Sequence, residues 1–176
     1  GDGAAAVLLE RNLGRNVILE THMITEGKFA ESVAVYDVGS VQFNTDKGSQ
    51  IDGYRLDVSD PGAMKRELDP ISLNNFTKVI QQSLNKSGYD EKEVDYVAPI
   101  FMKKSMLNMI LDEFDLTDQQ SFILEEYGHC QSADAFIALV EGVKSERLKS
   151  GDIAVLLGAG TGYTWAATTV KWGEMS

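Results

Sequence analysis

The sequence of 176 residues predicts an α/β domain in which helices cover a mixed sheet. Two observations favour this class. From Asp69 onward, segments with apolar residues at helical spacing alternate with short apolar runs that suit buried strands. The last two predicted strands are separated only by a glycine-rich turn, so we expect them to be antiparallel neighbours in the sheet.

The first third of the chain has fewer regular signals. Gly1-Asp2-Gly3 and the apolar residues 4–9 predict a tight turn that enters a buried strand. Residues 17–24 are a second strand candidate, whereas residues 26–65 form a long excursion with short strands at 32–36 and 41–43. Because a natural protein seldom begins on a turn and a core strand, we expect that the chain was cut from a longer one.

The rest of the chain has clear start and stop signals. Asp69-Pro70 predicts an N-cap and first helical turn, and Gly88 predicts the end of that helix. We expect further helices at 102–114 and 131–148, and strands at 94–100, 121–125, 153–157 and 164–172. No linker, low-complexity tract or repeat interrupts this order, so residues 1–176 are predicted to form a single domain.

Composition argues against several classes of protein. A net charge of -11 disfavours nucleic-acid and anionic-membrane partners. No apolar run is long enough for a membrane helix, and the first ten residues do not resemble a signal peptide. The single cysteine, Cys130, allows no internal disulfide and suits a reducing cytoplasm. The chain has only two histidines besides this cysteine, so a structural zinc site is not expected.

Four short motifs carry a family resemblance, and each is weak alone. They are GDGA at 1–4, EYG at 126–128, LGAGTGYTW at 157–165 and KW at 171–172. In their order and spacing they resemble the C-terminal half of the β-ketoacyl-acyl-carrier-protein synthase III family, over nearly the whole chain. The resemblance implies a thiolase-like fold with a mixed five-stranded sheet covered by helices. It also implies that residues 1–10 are the last strand of a preceding half.

The resemblance further implies a reaction. Members of the family load an acyl group from coenzyme A onto a cysteine and transfer it to a partner, commonly malonyl-acyl-carrier protein. That cysteine belongs to the preceding half, so we expect the 176-residue chain to be inactive alone. The expected partners are acyl-CoA, acyl-carrier protein and the N-terminal half of the same protein, in a homodimer when intact. Acyl-CoA or phosphopantetheine would be a substrate, and no tightly bound cofactor is expected.

Two positions depart from the family pattern. The family histidine aligns with Ile100, or with Phe101 if the loop shifts by one residue, and the family asparagine aligns with His129. Neither Ile100 nor Phe101 can exchange a proton. Decarboxylative condensation uses the histidine and the asparagine as neutral donors to an enolate. We therefore predict acyl transfer without condensation.

His129 and Asp134 are the predicted catalytic residues. His129 follows a predicted strand, and Asp134 lies in the first turn of the next helix, where its charge is favoured. Asp134 would orient the imidazole, and His129 would act as a base toward an alcohol or amine acceptor. Some divergent synthase-III-like acyltransferases have a similar GH…D pattern. The alternative is a hydrogen-bonded strand-end histidine beside a helix-capping acid.

Other candidates have weaker support. Gly160 and Thr161 could supply oxyanion-hole N–H groups, as the resemblance implies, or merely form a tight turn. Lys103 and Lys104 could hold phosphate or an acidic carrier protein at the rim, or lie on a solvated helix face. Cys130 is expected to be a small buried residue rather than the nucleophile.

His22 lies in a strand-end segment with no paired acid or cysteine nearby, and it is expected to be structural. Two rival functions stay open at this point. One is an ordinary 3-oxoacyl-acyl-carrier-protein synthase III of fatty-acid initiation with a reorganised site. The other is a catalytically inactive thiolase-fold subunit that supports an active partner.

Overall fold

The fold contains both strands and helices within residues 1–35 and 57–174, which are the residues that this computed structural model describes. The strands are β1 (Arg15–Thr25), β2 (Val33–Ala34), β3 (Asp57–Val58), β4 (Tyr96–Pro99), β5 (Ile153–Gly160) and β6 (Thr164–Glu174). The α-helices are α1 (Pro61–Ala63), α2 (Asp69–Lys86), α3 (Lys104–Glu113) and α4 (Asp134–Lys144). This order confirms the predicted α/β class.

The main sheet is mixed and has the strand order β1-β6-β5-β4. β4 and β5 are parallel, whereas β5 and β6 are antiparallel, as the short turn between them predicted. β1 adds an antiparallel edge strand next to β6. Four strands therefore form the sheet in the described part of the chain, instead of the five that were expected.

The strand predicted at 121–125 is the missing fifth strand. Only Ser121 pairs with β4, through an isolated parallel bridge to Val97 and a hydrogen bond from its Oγ to the Val97 carbonyl (2.8 Å). The chain then turns, because the backbone N–H groups of Tyr127 and Gly128 both donate to the Leu124 carbonyl. That carbonyl closes a turn and is not available to a longer ladder.

The prediction of a buried strand at residues 4–9 is wrong for this structure. Residues 1–10 are exposed and form no strand, because no strand of the described chain pairs with them. Of the two short strands expected in the excursion, the first is present as β2, which pairs with β3. The second, at 41–43, lies outside the described residues.

The helix that includes α2 begins earlier than the Asp69-Pro70 signal predicted. Asp60 is the N-cap of α1, and its Oδ1 accepts a hydrogen bond from the Ala63 N–H (2.9 Å). A π-helical turn, Met64–Leu68, joins α1 to α2. Pro70 has no N–H to offer, and a widened turn before it accommodates that loss. The predicted end is confirmed, since Gly88 has a left-handed φ of +83°.

Alternating side chains of β4 and β5 point to two separate cores. Val97 and Val155 pack with α2 and α3 on one face of the sheet. Tyr96 and Ala154 pack with Ala138 of α4 on the other face. The Tyr96 hydroxyl donates to the Ala138 carbonyl (2.7 Å), which ties α4 to β4. The start of α4 is thereby held next to the loop that follows β4.

Candidate active site

The candidate site lies where the loop after β4 meets the loop that enters α4. The Ile100 N–H donates to the Leu157 carbonyl of β5 (2.7 Å), so the first loop leaves the sheet in a defined direction. The second loop turns at Gly128, with a φ of +71°, and continues as a 3₁₀ turn, Gln131–Ala133. Both loops carry residues that the sequence singled out.

Asp134 connects these loops through a buried carboxylate. Its side chain is 1% exposed, and its Oδ2 lies 2.5 Å from His129 Nδ1. The same Oδ2 accepts the Phe101 N–H (2.8 Å), and Oδ1 accepts the Cys130 N–H (2.7 Å). A carboxylate only accepts hydrogen bonds, so His129 Nδ1 carries the proton in this contact. The structure thus brings the predicted pair together.

His129 keeps one side open. Its side chain is 38% exposed, which leaves room for a ligand beside a ring whose Nδ1 is already bonded. With the proton on Nδ1, Nε2 of the neutral imidazole has a free lone pair. The Phe101 ring lies alongside, with centroids 6.2 Å apart and planes 24° apart. Phe101, rather than Ile100, is therefore the residue in ring contact with His129.

The glycine-rich turn between β5 and β6 is exposed at Gly160 and Thr161. Its far side is held by paired backbone hydrogen bonds between Glu26 and Tyr163 (2.8 Å each). A Cβ built on Gly160 would meet nothing within 4 Å. Packing among the described residues does not require glycine there, and no described residue fills the space in front of Gly160. No hydrogen bond in the described residues joins this turn to His129 or Asp134, so its oxyanion role stays a prediction.

The two lysines at the start of α3 are exposed, and each faces a carboxylate. Lys103 Nζ lies 3.2 Å from Asp69 Oδ2, and Lys104 Nζ lies 3.7 Å from Glu125 Oε1. Exposed ion pairs of this kind are weak, on the order of 1 kcal/mol or less. An anionic ligand could therefore take the place of the carboxylate that faces either lysine. The neighbouring acids make the surface at the start of α3 less positively charged than the two lysines alone suggested.

Cys130 is buried, and its Sγ lies against the carbonyl oxygens of Tyr127 (3.9 Å) and Gly128 (3.7 Å). This surrounding matches the expected small buried residue. Its backbone N–H, not its thiol, contacts the site. In the described residues no group of three or more His, Cys, Asp or Glu side chains could hold a metal ion.

His22 lies on β1 and is not part of the site. Its Nδ1 is 3.0 Å from the Lys86 ammonium of α2. Partial burial, followed by the positive charges of Lys86 and Lys78, lowers the pKa of His22 below its ordinary value. The structural role expected for His22 agrees with this position.

Sequence reasoning missed two contributions to the site. One is the Phe101 N–H bond to Asp134, and the other is the close passage of Gly1 and Gly3 over the 127–130 loop. The glycines themselves were visible in the sequence, but no local pattern pairs residue 3 with residue 130.

No helix of the described residues is long and apolar enough to span a bilayer.

Comparison with known proteins agrees with the resemblance seen in the motifs. The chain is 27% identical over 173 residues to the β-ketoacyl-[acyl-carrier-protein] synthase III of Aquifex aeolicus (strain VF5), covering 98% of this chain and 50% of that protein. It is 26% identical over 178 residues to the synthase III of Brucella suis, covering 98% and 51%. The chain therefore spans about half the length of the curated relatives it matches.

Solved structures show the same fold. The 3-oxoacyl-[acyl-carrier-protein] synthase III from Aquifex aeolicus VF5 aligns with a TM-score of 0.71 at 23% identity, covering 92% of this chain and 46% of that one. The synthase III from Pseudomonas aeruginosa PAO1 aligns with a TM-score of 0.73 at 15% identity, covering 96% and 48%. OleA from Xanthomonas campestris aligns at 0.64 and 18%, covering 88% and 40%.

These alignments confirm the predicted thiolase-like fold, as a half of it. Residues 84–172 match the family model described as 3-Oxoacyl-[acyl-carrier-protein (ACP)] synthase III C terminal. The matched residues include β4, α4 with the His129–Asp134 pair, and most of the β5–β6 hairpin. The chain belongs to the 3-oxoacyl-[acyl-carrier-protein] synthase III C-terminal family.

Proposed function

We propose that the intact protein is an acyltransferase that moves an acyl group from acyl-CoA or acyl-carrier protein to an alcohol or amine, without condensation. The nucleophile would be a cysteine in an N-terminal half. The observation that supports this proposal is the 2.5 Å contact between His129 Nδ1 and the buried carboxylate of Asp134. Histidine stands there in place of the family asparagine.

His129 would act as a general base. Asp134 holds the proton on Nδ1, so Nε2 presents its lone pair to the hydroxyl or amine of an acceptor. As the acceptor attacks the thioester, its proton passes to Nε2, and the carboxylate stabilises the resulting imidazolium. The new ester or amide bond forms as the carbon–sulfur bond breaks, and the cysteine leaves as a thiolate that is reprotonated. Such base catalysis typically contributes about 10²- to 10⁴-fold.

The same geometry disfavours decarboxylative condensation. An enolate oxygen requires hydrogen-bond donors, but Nε2 of this tautomer is an acceptor. The Phe101 side chain, which lies beside His129, has no proton to donate. The site therefore has one base where a condensing site would have two donors.

An exposed apolar surface on α4 supports the proposed partner half. Val140 and Val143 of α4 are 49% and 41% exposed. An open groove of about 840 Å³ lies nearby, lined by apolar side chains that include Leu13, Phe136 and Leu139. We propose that the N-terminal half packs here, that residues 1–10 join its sheet as the last strand, and that the intact protein forms a homodimer. The 176-residue chain alone would then be inactive.

Gly160, Thr161 and the two lysines have supporting roles in this proposal. The open turn at Gly160 and Thr161 would offer backbone N–H groups to the thioester oxygen. Lys103 and Lys104 would exchange their carboxylate partners for phosphate or acidic groups of the acyl donor. Acyl-CoA is then a substrate, and no tightly bound cofactor takes part.

The test uses the full-length protein with its N-terminal half. Acyl-CoA is offered with either a panel of alcohols and amines or malonyl-acyl-carrier protein. We expect ester or amide products without carbon dioxide release, and loss of that transfer in His129→Ala while the acyl-enzyme still forms. Efficient carbon dioxide release, or full transfer by His129→Ala, would contradict the proposal.

An ordinary 3-oxoacyl-acyl-carrier-protein synthase III is the second candidate, because the curated relatives named above carry that name. Carbon dioxide release distinguishes it from the first. A non-catalytic supporting subunit is distinguished from both by the acyl-enzyme, since mass spectrometry of the protein after incubation with acyl-CoA would show no added acyl group.

A further inference from the structure

Residues 1–3 cross directly over the loop that holds His129. The Gly1 backbone nitrogen donates a hydrogen bond to the His129 carbonyl oxygen (2.9 Å). A Cβ built on Gly1 would lie 2.5 Å from the Tyr127 carbonyl oxygen. A Cβ built on Gly3 would lie 2.7 Å from Cys130 Cβ and 2.9 Å from Cys130 Sγ. Real Cβ atoms essentially never approach other atoms closer than 3.0 Å, so both positions have room only for glycine.

Gly3 is required for space and not for backbone conformation, because its φ is not in the left-handed region. Asp2, between the two glycines, faces no such limit that the structure shows. The close passage at Gly3 depends on a single neighbour, Cys130. The third nearest atom, Ile137 Cδ1, is at an ordinary distance of 3.7 Å.

Cys130 cannot move aside without disturbing the site. It is buried, and its N–H donates to Asp134 Oδ1 (2.7 Å). The other oxygen of that carboxylate holds His129 Nδ1 at 2.5 Å. His129 is also the residue directly before Cys130 in the chain. Pressure on the Cys130 side chain would therefore reach the imidazole through the backbone and through Asp134.

We propose that Gly3 is a positioning residue for His129. Because glycine has no side chain, residues 1–3 can pack directly against Cys130. This contact keeps the 128–130 loop in the position where the Asp134 carboxylate accepts the hydrogen bond from His129 Nδ1–H. A methyl group at residue 3 would lift the segment or displace the loop. The consequence for catalysis rests on the proposed function, but the placement of His129 can be measured without it.

Gly3→Ala tests the proposal, with Gly27→Ala as the matched control because a Cβ at Gly27 would meet nothing within 4 Å. The first measurement is the imidazole NMR signature of His129, with His22 as internal reference. We expect Gly3→Ala to weaken the low-field Nδ1–H resonance of His129 and to leave His22 unchanged. The second is the labelling rate of Cys130 by a thiol reagent, which we expect to rise roughly tenfold as the segment lifts. Gly27→Ala should change neither.

A compensating change separates positioning from general destabilisation. In Gly3→Ala with Cys130→Gly, both clashing atoms are gone, so the Nδ1–H resonance of His129 should return. In Gly3→Ala with Cys130→Ala, the Cβ at 2.7 Å remains, so recovery should be incomplete. Cys130→Gly alone is the control for the effect of removing the Cys130 side chain on stability and on the His129 resonance.

Two results would overturn the inference. One is a folded Gly3→Ala protein whose His129 resonance and Cys130 labelling match those of the unsubstituted protein. The other is a Gly3→Ala, Cys130→Gly protein that does no better than Gly3→Ala, including the case in which both fail to fold. In the full-length enzyme Gly3→Ala should lower kcat more than it raises KM. If the NMR and labelling changes occur without a fall in kcat, the positioning stands and the base role of His129 fails.

Discussion

At the scale of single residues, Asp134 organises the site by accepting hydrogen bonds from three residues at once. Two of the donors are backbone N–H groups, from Phe101 and Cys130, and the third is the His129 ring. Because the carboxylate is 1% exposed, water cannot replace any of these donors easily. The position therefore demands a side chain that accepts from all three.

Asp134→Asn should separate orientation from bulk. The amide has nearly the same shape, but its NH₂ group would face a donor, so His129 would lose its Nδ1 acceptor or turn over. We expect acyl transfer by the full-length enzyme to fall by about 10²- to 10⁴-fold, with the acyl-enzyme still formed. Product formation measures the effect, and Glu113→Gln, at an exposed acid of α3, is the control. Transfer within twofold of the unsubstituted enzyme would contradict the assigned role.

His22 and Lys86 give a prediction about pH. The pKa of His22 is lowered below its ordinary value of 6.5 by partial burial and then by the charges of Lys86 and Lys78. The unfolded chain therefore binds a proton more readily than the folded one. The lowered pKa of His22 therefore adds to the stability of the folded state above pH 6.5, and this contribution decreases as the pH falls toward the folded-state pKa. Lys86→Met should raise the pKa of His22 in an NMR titration.

Lys78→Met should raise the pKa of His22 less than Lys86→Met, because Lys78 acts only through its charge, whereas the Lys86 ammonium is 3.0 Å from Nδ1. The two variants also serve as controls for each other, since each removes one positive charge from α2. A larger rise for Lys78→Met than for Lys86→Met would show that the contact is not maintained in solution.

At the scale of secondary-structure elements, the close packing of α4 on β4 sets where His129 and Asp134 sit. Gly142 of α4 faces the fully buried Tyr96 ring, and a Cβ there would lie 2.5 Å from both Cζ and Oη. The Tyr96 hydroxyl is held by the Ala138 carbonyl one turn earlier. The buried Tyr96 ring is therefore held in place on the side that faces Gly142.

Gly142→Ala should therefore destabilise the protein, against the usual helix preference. Alanine gains about 1 kcal/mol over glycine inside a helix. Overpacking a filled core costs about 1–3 kcal/mol, so the clash is expected to win. Urea denaturation would show a lower midpoint with an unchanged slope. A rise in the midpoint would mean that α4 can move away from Tyr96 at no cost.

At the scale of the whole molecule, the outward face of α4 is the surface that argues for a partner half. Val140 and Val143 are exposed on a helix whose opposite face is in the core. Neighbouring exposed apolar side chains of this kind often mark an interaction surface. Burial against the proposed N-terminal half would account for their presence.

Val140→Lys with Val143→Lys should weaken binding of the N-terminal half. If the two halves are expressed with separate tags, we expect co-purification to fall by at least tenfold, because two charges would be buried. The secondary structure of the chain itself should not change, since both side chains point outward. Met109→Lys, an equally exposed apolar position on α3, is the control. Unchanged co-purification would place the partner half elsewhere.

Local patterns in the sequence determined most of the helices and strands. Helical spacing and the Gly88 stop predicted α2, and the glycine turn predicted the β5–β6 hairpin, because these signals act between residues close in the chain. The short motifs predicted the family and its fold. The 129–134 spacing, five residues across a turn, was also near enough to suggest the histidine–aspartate pair.

Only the tertiary structure decided the contacts between distant segments. The passage of Gly3 over Cys130, the Phe101 N–H bond to Asp134 and the reduction of the strand at 121–125 to one bridge all depend on how loops converge. Hydrogen bonds and steric limits of this kind are set by atoms that are tens of residues apart or more. A local pattern carries no information about such a partner, so the arrangement of the site around Asp134 could not be read from the sequence.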